Sequence, residues 1–163
     1  METDRYNIWV GYDSTQHQAY EVCAFSLLHY HNVNIFPLKQ NELREQGIYT
    51  RQLDKLASTE FSLTRFLVPY LSNYKGWSLF CDSDFLWLCD VKEIFNLKNN
   101  DFSVMCVKHE YTPKSNIKMD NKTQYQYPRK NWSSLMLFND SKCKMLTPDI
   151  VNTKEPSYLQ RMR

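Results

Sequence analysis

The chain has 163 residues, of which 42% are hydrophobic and 15% aromatic, enough apolar material for one sizeable core in a single domain. Its 20 basic and 18 acidic residues leave a formal net charge of +2, a balance that points to neither a nucleic-acid protein nor an electrostatic membrane binder. Five cysteines include no CxxC pair and mostly lie in apolar runs, as expected of reduced thiols in a cytoplasmic compartment; the charged start METDRYNIWVGYD offers neither a signal-peptide apolar region nor a transmembrane segment.

Residues 6–12 (YNIWVGY) form a β-rich run closed by Gly11, and Asp13, Ser14 and Thr15 supply capping side chains before a helical pattern. Over residues 18–31, Ala19, Val22, Cys23, Leu27 and Tyr30 recur at three- and four-residue spacing, which predicts a helix with one face against a sheet. Residues 33–38 (VNIFPL) read as a second short strand, with Pro37 marking an edge or a strand end. The polar stretch 39–60 lacks strong periodicity and predicts a loop with a short helix.

Ser62 caps a predicted helix running to about Leu71, limited by Pro69. A buried strand over 77–81 then ends at two aspartates, and 102–107 (FSVMCV) and 135–138 (LMLF) are further strands. Strands alternating with helical patterns imply an α/β fold, a largely parallel sheet flanked by helices, in which ligands gather at the carboxyl ends of the strands. Asp13 and Asp82 both fall at such ends. Residues 110–131 are polar, tyrosine-bearing and too long for an ordinary connection, which suggests a functional loop or a flexible hairpin.

Within WSLFCDSDFLWLCD, residues 77–90, Asp82 and Asp84 stand one residue apart in an apolar run. In extended backbone, side chains at i and i+2 share a side, so the two carboxylates converge while Ser83 turns away. Two carboxylates held close in a partly desolvated place either raise one pKa or take up a cation. Magnesium-like ions prefer one or two carboxylates, several waters and substrate phosphates. The plain alternative is a strand end where Asp82 caps the next segment and Asp84 lies in solvent.

The stretch SLTRFLVPYLSNYKGWSLFCDSDFLW resembles the core of nucleotide-sugar glycosyltransferases of the GT-A fold, with the glycogenin-like and galactosyltransferase-like group, family 8, as the nearest match. In that group an arginine-bearing helix precedes an apolar strand ending in a DxD motif, which holds manganese or magnesium against a nucleotide diphosphate. Arg65, Asp82, Ser83 and Asp84 occupy the matching places. IWVGYDS resembles the family's first strand and nucleobase-binding turn, which makes Gly11, Tyr12 and Asp13 candidate uridine contacts. YPRKNWSSLMLFN resembles the segment that reads FNSGVMLIN and borders the donor sugar; Ser133 and Ser134 fall where Ser and Gly are usual, Trp132 replaces the usual Asn, and Asn131 comes one place early.

By this resemblance the chain is a metal-dependent glycosyltransferase that binds a nucleotide-diphosphate sugar, a UDP-sugar above all, and transfers the sugar to an unidentified acceptor. Asp82 and Asp84 would hold Mn2+ or Mg2+; Gly11, Tyr12, Asp13, Arg65 and Ser83 would bind the nucleotide; Arg65, Lys108, Asn131, Ser133 and Ser134 would border the sugar. No residue is singled out as a nucleophile. The family's C-terminal metal-binding histidine has no counterpart here, so the expectation is a single GT-A-like domain over residues 1–163 lacking its C-terminal section, with apolar surface left exposed and a tendency to self-associate. A truncated or inactive nucleotide-binding module is the alternative, and a haloacid-dehalogenase-like phosphatase a weaker one, because Phe85 and Leu86 stand where that motif continues with Gly-Thr. His17, His29, His31 and His109 show no metal-ligand spacing, though His109 and Lys108 follow a strand at its carboxyl end. Lys108, Arg129 and Lys130 either bind phosphate or keep the long loop soluble, and Arg129 reads as solubilising charge.

Overall fold

The structure is a computed structural model that describes residues 5–30, 32–52, 57–108 and 132–161. The long polar segment 110–131, and with it His109, Arg129, Lys130 and Asn131, lies outside the described residues, as does His31. Strand β1 (Tyr6–Gly11) leads through a capped turn into helix α1 (His17–Tyr30), then strand β2 (Val33–Leu38) and helix α2 (Gln40–Glu45). A tight helical turn at Thr64–Leu67 runs into helix α3 (Val68–Leu71), followed by β3 (Trp77–Cys81), α4 (Lys92–Phe95) and β4 (Val104–Cys106). A second tight turn at Trp132–Ser134 opens β5 (Leu135–Asn139), and α5 (Pro148–Thr153) and α6 (Pro156–Arg161) close the described chain.

The five strands form one sheet in the order β2-β1-β3-β5-β4. The pairings β1–β2 and β1–β3 are parallel, whereas β5 runs antiparallel to both β3 and β4. Four strands therefore point one way and β5 alone runs back. Pro37 lies in β2, an edge strand, where its missing N–H leaves no ladder bond unmade on the open side.

Period-two alternation along the strands builds two core layers. On one face Ile8, Val10, Leu79, Cys81 and Leu137 meet Cys23 and Leu27 of α1 and Phe95 of α4. On the other, Phe80, Met136 and Phe138 meet Phe61, Phe66, Leu67, Val68, Val151 and Leu159. Of the α1 residues expected on the core face, Cys23 and Leu27 are buried but Val22 is 55% exposed. Val22 sits about 100° round the helix from Cys23, and the inward position is taken by Ser26, whose hydroxyl donates to the Cys23 carbonyl and accepts the Trp87 N–H.

Pro69 does not end the helix that carries Arg65. It stands in the first turn of α3, where an absent N–H costs nothing, and the preceding turn is tightened instead. Gly11 has a packing reason of its own: a Cβ there would stand 2.7 Å from ring carbons of Phe61, so the ring can lie flat on the end of β1 only if that position has no side chain.

At the opposite end of the sheet a polar chain crosses the core. Trp9 Nε1 donates to Ser72 Oγ at 3.0 Å, Ser72 and Ser78 hydroxyls meet at 2.8 Å, and Ser78 Oγ donates to Asp140 Oδ2 at 2.6 Å. Asp140 is fully buried and its Oδ1 meets no partner among the described residues. Burial pushes its carboxyl up to about 7, despite the Ser78 bond pulling the other way. A folded pKa above the unfolded one contributes stability that is complete below about 4 and is lost as pH rises through about 7. Asp140→Asn is expected to flatten the fall in urea midpoint between pH 4 and pH 7; a variant with the wild-type slope would show that another group sets it.

Candidate functional site

Three segments far apart in sequence meet at one end of the sheet: the turn after β1, the turn after β3, and the approach to β5. Because β5 is antiparallel, its first residue Leu135 pairs with Cys81, the last residue of β3. The Trp132–Ser134 turn is thereby brought beside Asp82, whose backbone N–H donates to the Ser134 carbonyl at 2.9 Å. Trp132 anchors that turn in the core against Phe66, a packing role that the sequence reading did not assign to it.

Arg65 joins these pieces. Its Nη1 lies 2.9 Å from Asp82 Oδ1 and also donates to the Ser133 carbonyl, while Nε donates to the Phe61 carbonyl at 3.2 Å. The contact with Asp82 is an ion pair rather than a linear hydrogen bond. The guanidinium lies over the rings of Phe61 and Phe80, 5.3 and 4.9 Å from their centroids. Arg65 is buried, its side chain 7% exposed, and that of Asp82 is 24% exposed.

Beyond Asp82 the backbone turns rather than continuing as strand, so the alternation expected of extended chain does not hold. Ser83 is buried at the turn and Asp84 is exposed. Burial raises the Asp82 carboxyl, Arg65 draws it down and Asp84 adds repulsion, leaving it at about 6. That repulsion is the electrostatic trace of two carboxylates on one turn, with Arg65 offsetting only part of their charge. No group of three or more His, Cys, Asp or Glu side chains with metal-binding geometry occurs among the described residues. A pair of carboxylates, one exposed, fits a divalent ion that takes its other ligands from water and a phosphorylated ligand.

At the end of β1, Asp13 caps the following turn. Its Oδ1 accepts from Thr15 N and Thr15 Oγ1 at 3.0 and 2.6 Å, and Oδ2 accepts from Glu60 N at 3.2 Å. Burial raises this carboxyl, but the bonds from Thr15 and Glu60 outweigh it and hold it below its ordinary value. Asp13, Thr15, Gln40, Arg44, Thr59 and Glu60 line a cavity of about 220 Å³. Arg44 stacks over Tyr49, with Nε donating to Gln40 and Nη2 buried without a partner among the described residues. Sequence reasoning missed Arg44, Thr59 and Glu60 because the stretch that holds them has no period; only its excess of hydrogen-bonding side chains marked it.

Tyr12 turns toward α1 instead, its hydroxyl 3.2 Å from His17 Nδ1 and its ring edge-on to Tyr20. Lys108 follows β4 at the same end of the sheet and is exposed. A larger cavity of about 370 Å³ beside β4 contains none of the candidate polar residues in its wall.

No protein-family model matches the chain. Protein CDI of Arabidopsis thaliana is 46% identical over 166 residues, covering 99% of this chain and 64% of that protein; the chain thus spans somewhat under two thirds of this curated relative. Among solved structures, the glycosyltransferase GlyE of Streptococcus pneumoniae TIGR4 superposes with a TM-score of 0.60 at 13% identity, covering 98% of this chain and 43% of that one. The fold is that of a glycosyltransferase. The WbbM bifunctional glycosyltransferase agrees, with a TM-score of 0.56 at 12% identity over 89% of this chain and 33% of its own. On this glycosyltransferase fold, the Arg65–Asp82 pair lies at the carboxyl end of a central strand, where open α/β sheets collect their ligands.

Removing Arg65 leaves Asp82 without its cation. Arg65→Met is expected to lower folding stability by about 3 kcal/mol, the low end of the range for breaking a buried pair, and to move the Asp82 carboxyl further above about 6. Urea unfolding and a carbon-detected carboxyl titration check both; an unmoved Asp82 titration would mean that Arg65 does not set its charge.

Proposed function

We propose that the chain binds a nucleoside-diphosphate sugar, a UDP-sugar above all, and belongs with the glycosyltransferases of the family 8 type that transfer the sugar to an acceptor. The observation that carries this reading is the Asp82–Asp84 turn, supported by Arg65 from below and lying at the carboxyl end of β3 on a glycosyltransferase fold. Asp82 and Asp84 are the residues that would hold manganese or magnesium. The chemistry such an ion supplies when bound is neutralisation of the charge that collects on the departing nucleoside diphosphate.

The chain's own residues divide the rest of the work. Asp13, oriented by Thr15 and Glu60, borders the 220 Å³ cavity at the end of β1 and is the candidate nucleoside contact, with Gly11 and Tyr12 flanking it. Arg44, its buried Nη2 unpartnered among the described residues, adds a donor on the far wall. Arg65 orients Asp82 and steadies the carbonyl of Ser133, so Ser133 and Ser134 border the place where a sugar attached to the phosphates would lie. Ser83, buried at the turn between the two carboxylates, is proposed as a nucleotide contact. Lys108 and Asn131 are proposed as contacts to the sugar. Neither the geometry nor the comparisons support the phosphatase alternative.

A panel of nucleotide sugars titrated by calorimetry with and without manganese tests the reading. Expected is heat from a UDP-sugar that grows when manganese is present. Asp84→Asn should reduce the manganese-dependent gain at least tenfold while the urea midpoint stays near wild type, because Asp84 is exposed outside the core. Unchanged manganese-linked affinity in that variant would exclude the carboxylate pair as the metal site.

A further inference from the structure

We propose that Cys23 and Cys81 form a reversible oxidation site, a disulfide that ties α1 to the end of β3. The two sulfurs face each other at 3.9 Å across the interface between helix and sheet, although the residues lie 58 apart in sequence. Both are fully buried, and both belong to the same apolar layer. A disulfide needs about 2.05 Å between sulfurs, so closure requires an approach of roughly 2 Å, within the reach of side-chain rotation plus a small shift of α1. Ordinary van der Waals contact between thiols does not by itself make a redox site; the surroundings distinguish this pair.

The wall over the sulfurs is irregular. It consists of the segment after Asp84, which has no regular structure up to residue 90, and it is pinned to α1 through the Trp87 N–H on Ser26 Oγ at 3.1 Å. Trp87 is buried in the same layer, and its indole N–H favours the thiolate of either cysteine. Irregular segments open locally at lower cost than global unfolding, which admits a small oxidant to the pair. Of the other three cysteines, Cys143 donates to the Ser103 carbonyl, while Cys89 and Cys106 are exposed.

The oxidant named is a hydroperoxide. One sulfur, as thiolate, attacks a peroxide oxygen; the S–O bond forms, the O–O bond breaks, and the departing hydroxide takes up a proton as water. The second sulfur then attacks the sulfenic sulfur, the S–S bond forms, the S–O bond breaks and a second water leaves. Two thiols lose two electrons and two protons, and one hydrogen peroxide becomes two waters. A dithiol reverses the bond by exchange. Closure would fasten the base of the turn that carries Asp82 and Asp84 to α1.

The test oxidises the folded 163-residue chain with one equivalent of hydrogen peroxide, alkylates remaining thiols and maps the peptides, alongside the same oxidation in urea. Expected in the folded chain is an intact mass lower by two hydrogens, loss of two of the five thiols, and a Cys23–Cys81 linked peptide that dithiothreitol abolishes; in urea the linked peptide falls to one among several pairings. A Cys89→Ser, Cys106→Ser double variant removes the exposed competitors and should give the same link, and the wild-type map stands if that variant misfolds. Cys23 and Cys81 both alkylated after oxidation of the folded chain, or the same link formed equally well in urea, would overturn the proposal.

Discussion

The ion pair between Arg65 and Asp82 is the constraint on which the polar end of this molecule depends. A guanidinium enclosed by Phe61 and Phe80 requires compensation on every side. It receives two backbone carbonyls, Phe61 and Ser133, and one carboxylate. These contacts fasten the segment before α3 to the end of β3 and the approach to β5, which the β3–β5 ladder already registers against each other. The Gly11–Phe61 contact extends the same cluster to β1. The cation is therefore first a structural clamp, and it leaves part of the charge on the Asp82–Asp84 turn unmet.

Antiparallel β5 is the second architectural requirement. Were it parallel to β3, its leading turn would lie at the other end of the sheet, with the Trp9–Ser72–Ser78–Asp140 chain. Reversal puts Ser133 and Ser134 beside Asp82 and leaves the amino end of β3 to the buried polar chain. Polar groups at the two ends serve different purposes. At one they are partly open and carry charge; at the other they are closed and satisfied mainly by each other, with Asp140 the group that titrates.

Much of this was legible in the residues. Strands β1, β2, β3 and β5 follow from apolar and β-branched runs bounded by turn formers, and DSD at the end of a buried run puts Asp82 at the carboxyl end of β3. Arg65 was legible through resemblance and through its place between Thr64 and Phe66, one strand away from two aspartates that offer it a partner. Three features were not legible. The direction of β5 depends on what connects it to β4, which no period encodes. Val22 follows the helical spacing but sits about 100° round from Cys23, past the edge of the buried face. The Asp82–Asp84 geometry was misread because the chain turns at Ser83, and strand alternation holds only while the strand lasts. The cavity beside Asp13 draws on Arg44 and Glu60 from a stretch without periodicity, and only folding brings those side chains together.

The donor site we propose has a thermodynamic signature. Two carboxylates without further protein ligands among the described residues should hold a divalent ion weakly, and a nucleoside diphosphate that shares the ion should tighten it by the factor by which the ion tightens the nucleotide. The most direct measurement is the free manganese signal in electron paramagnetic resonance, followed while UDP is added to the protein. The account predicts little manganese bound by protein alone and a marked loss of free signal as UDP saturates, beyond that caused by UDP without protein. Tight manganese binding without nucleotide, or no added effect of the protein on the UDP curve, would contradict it.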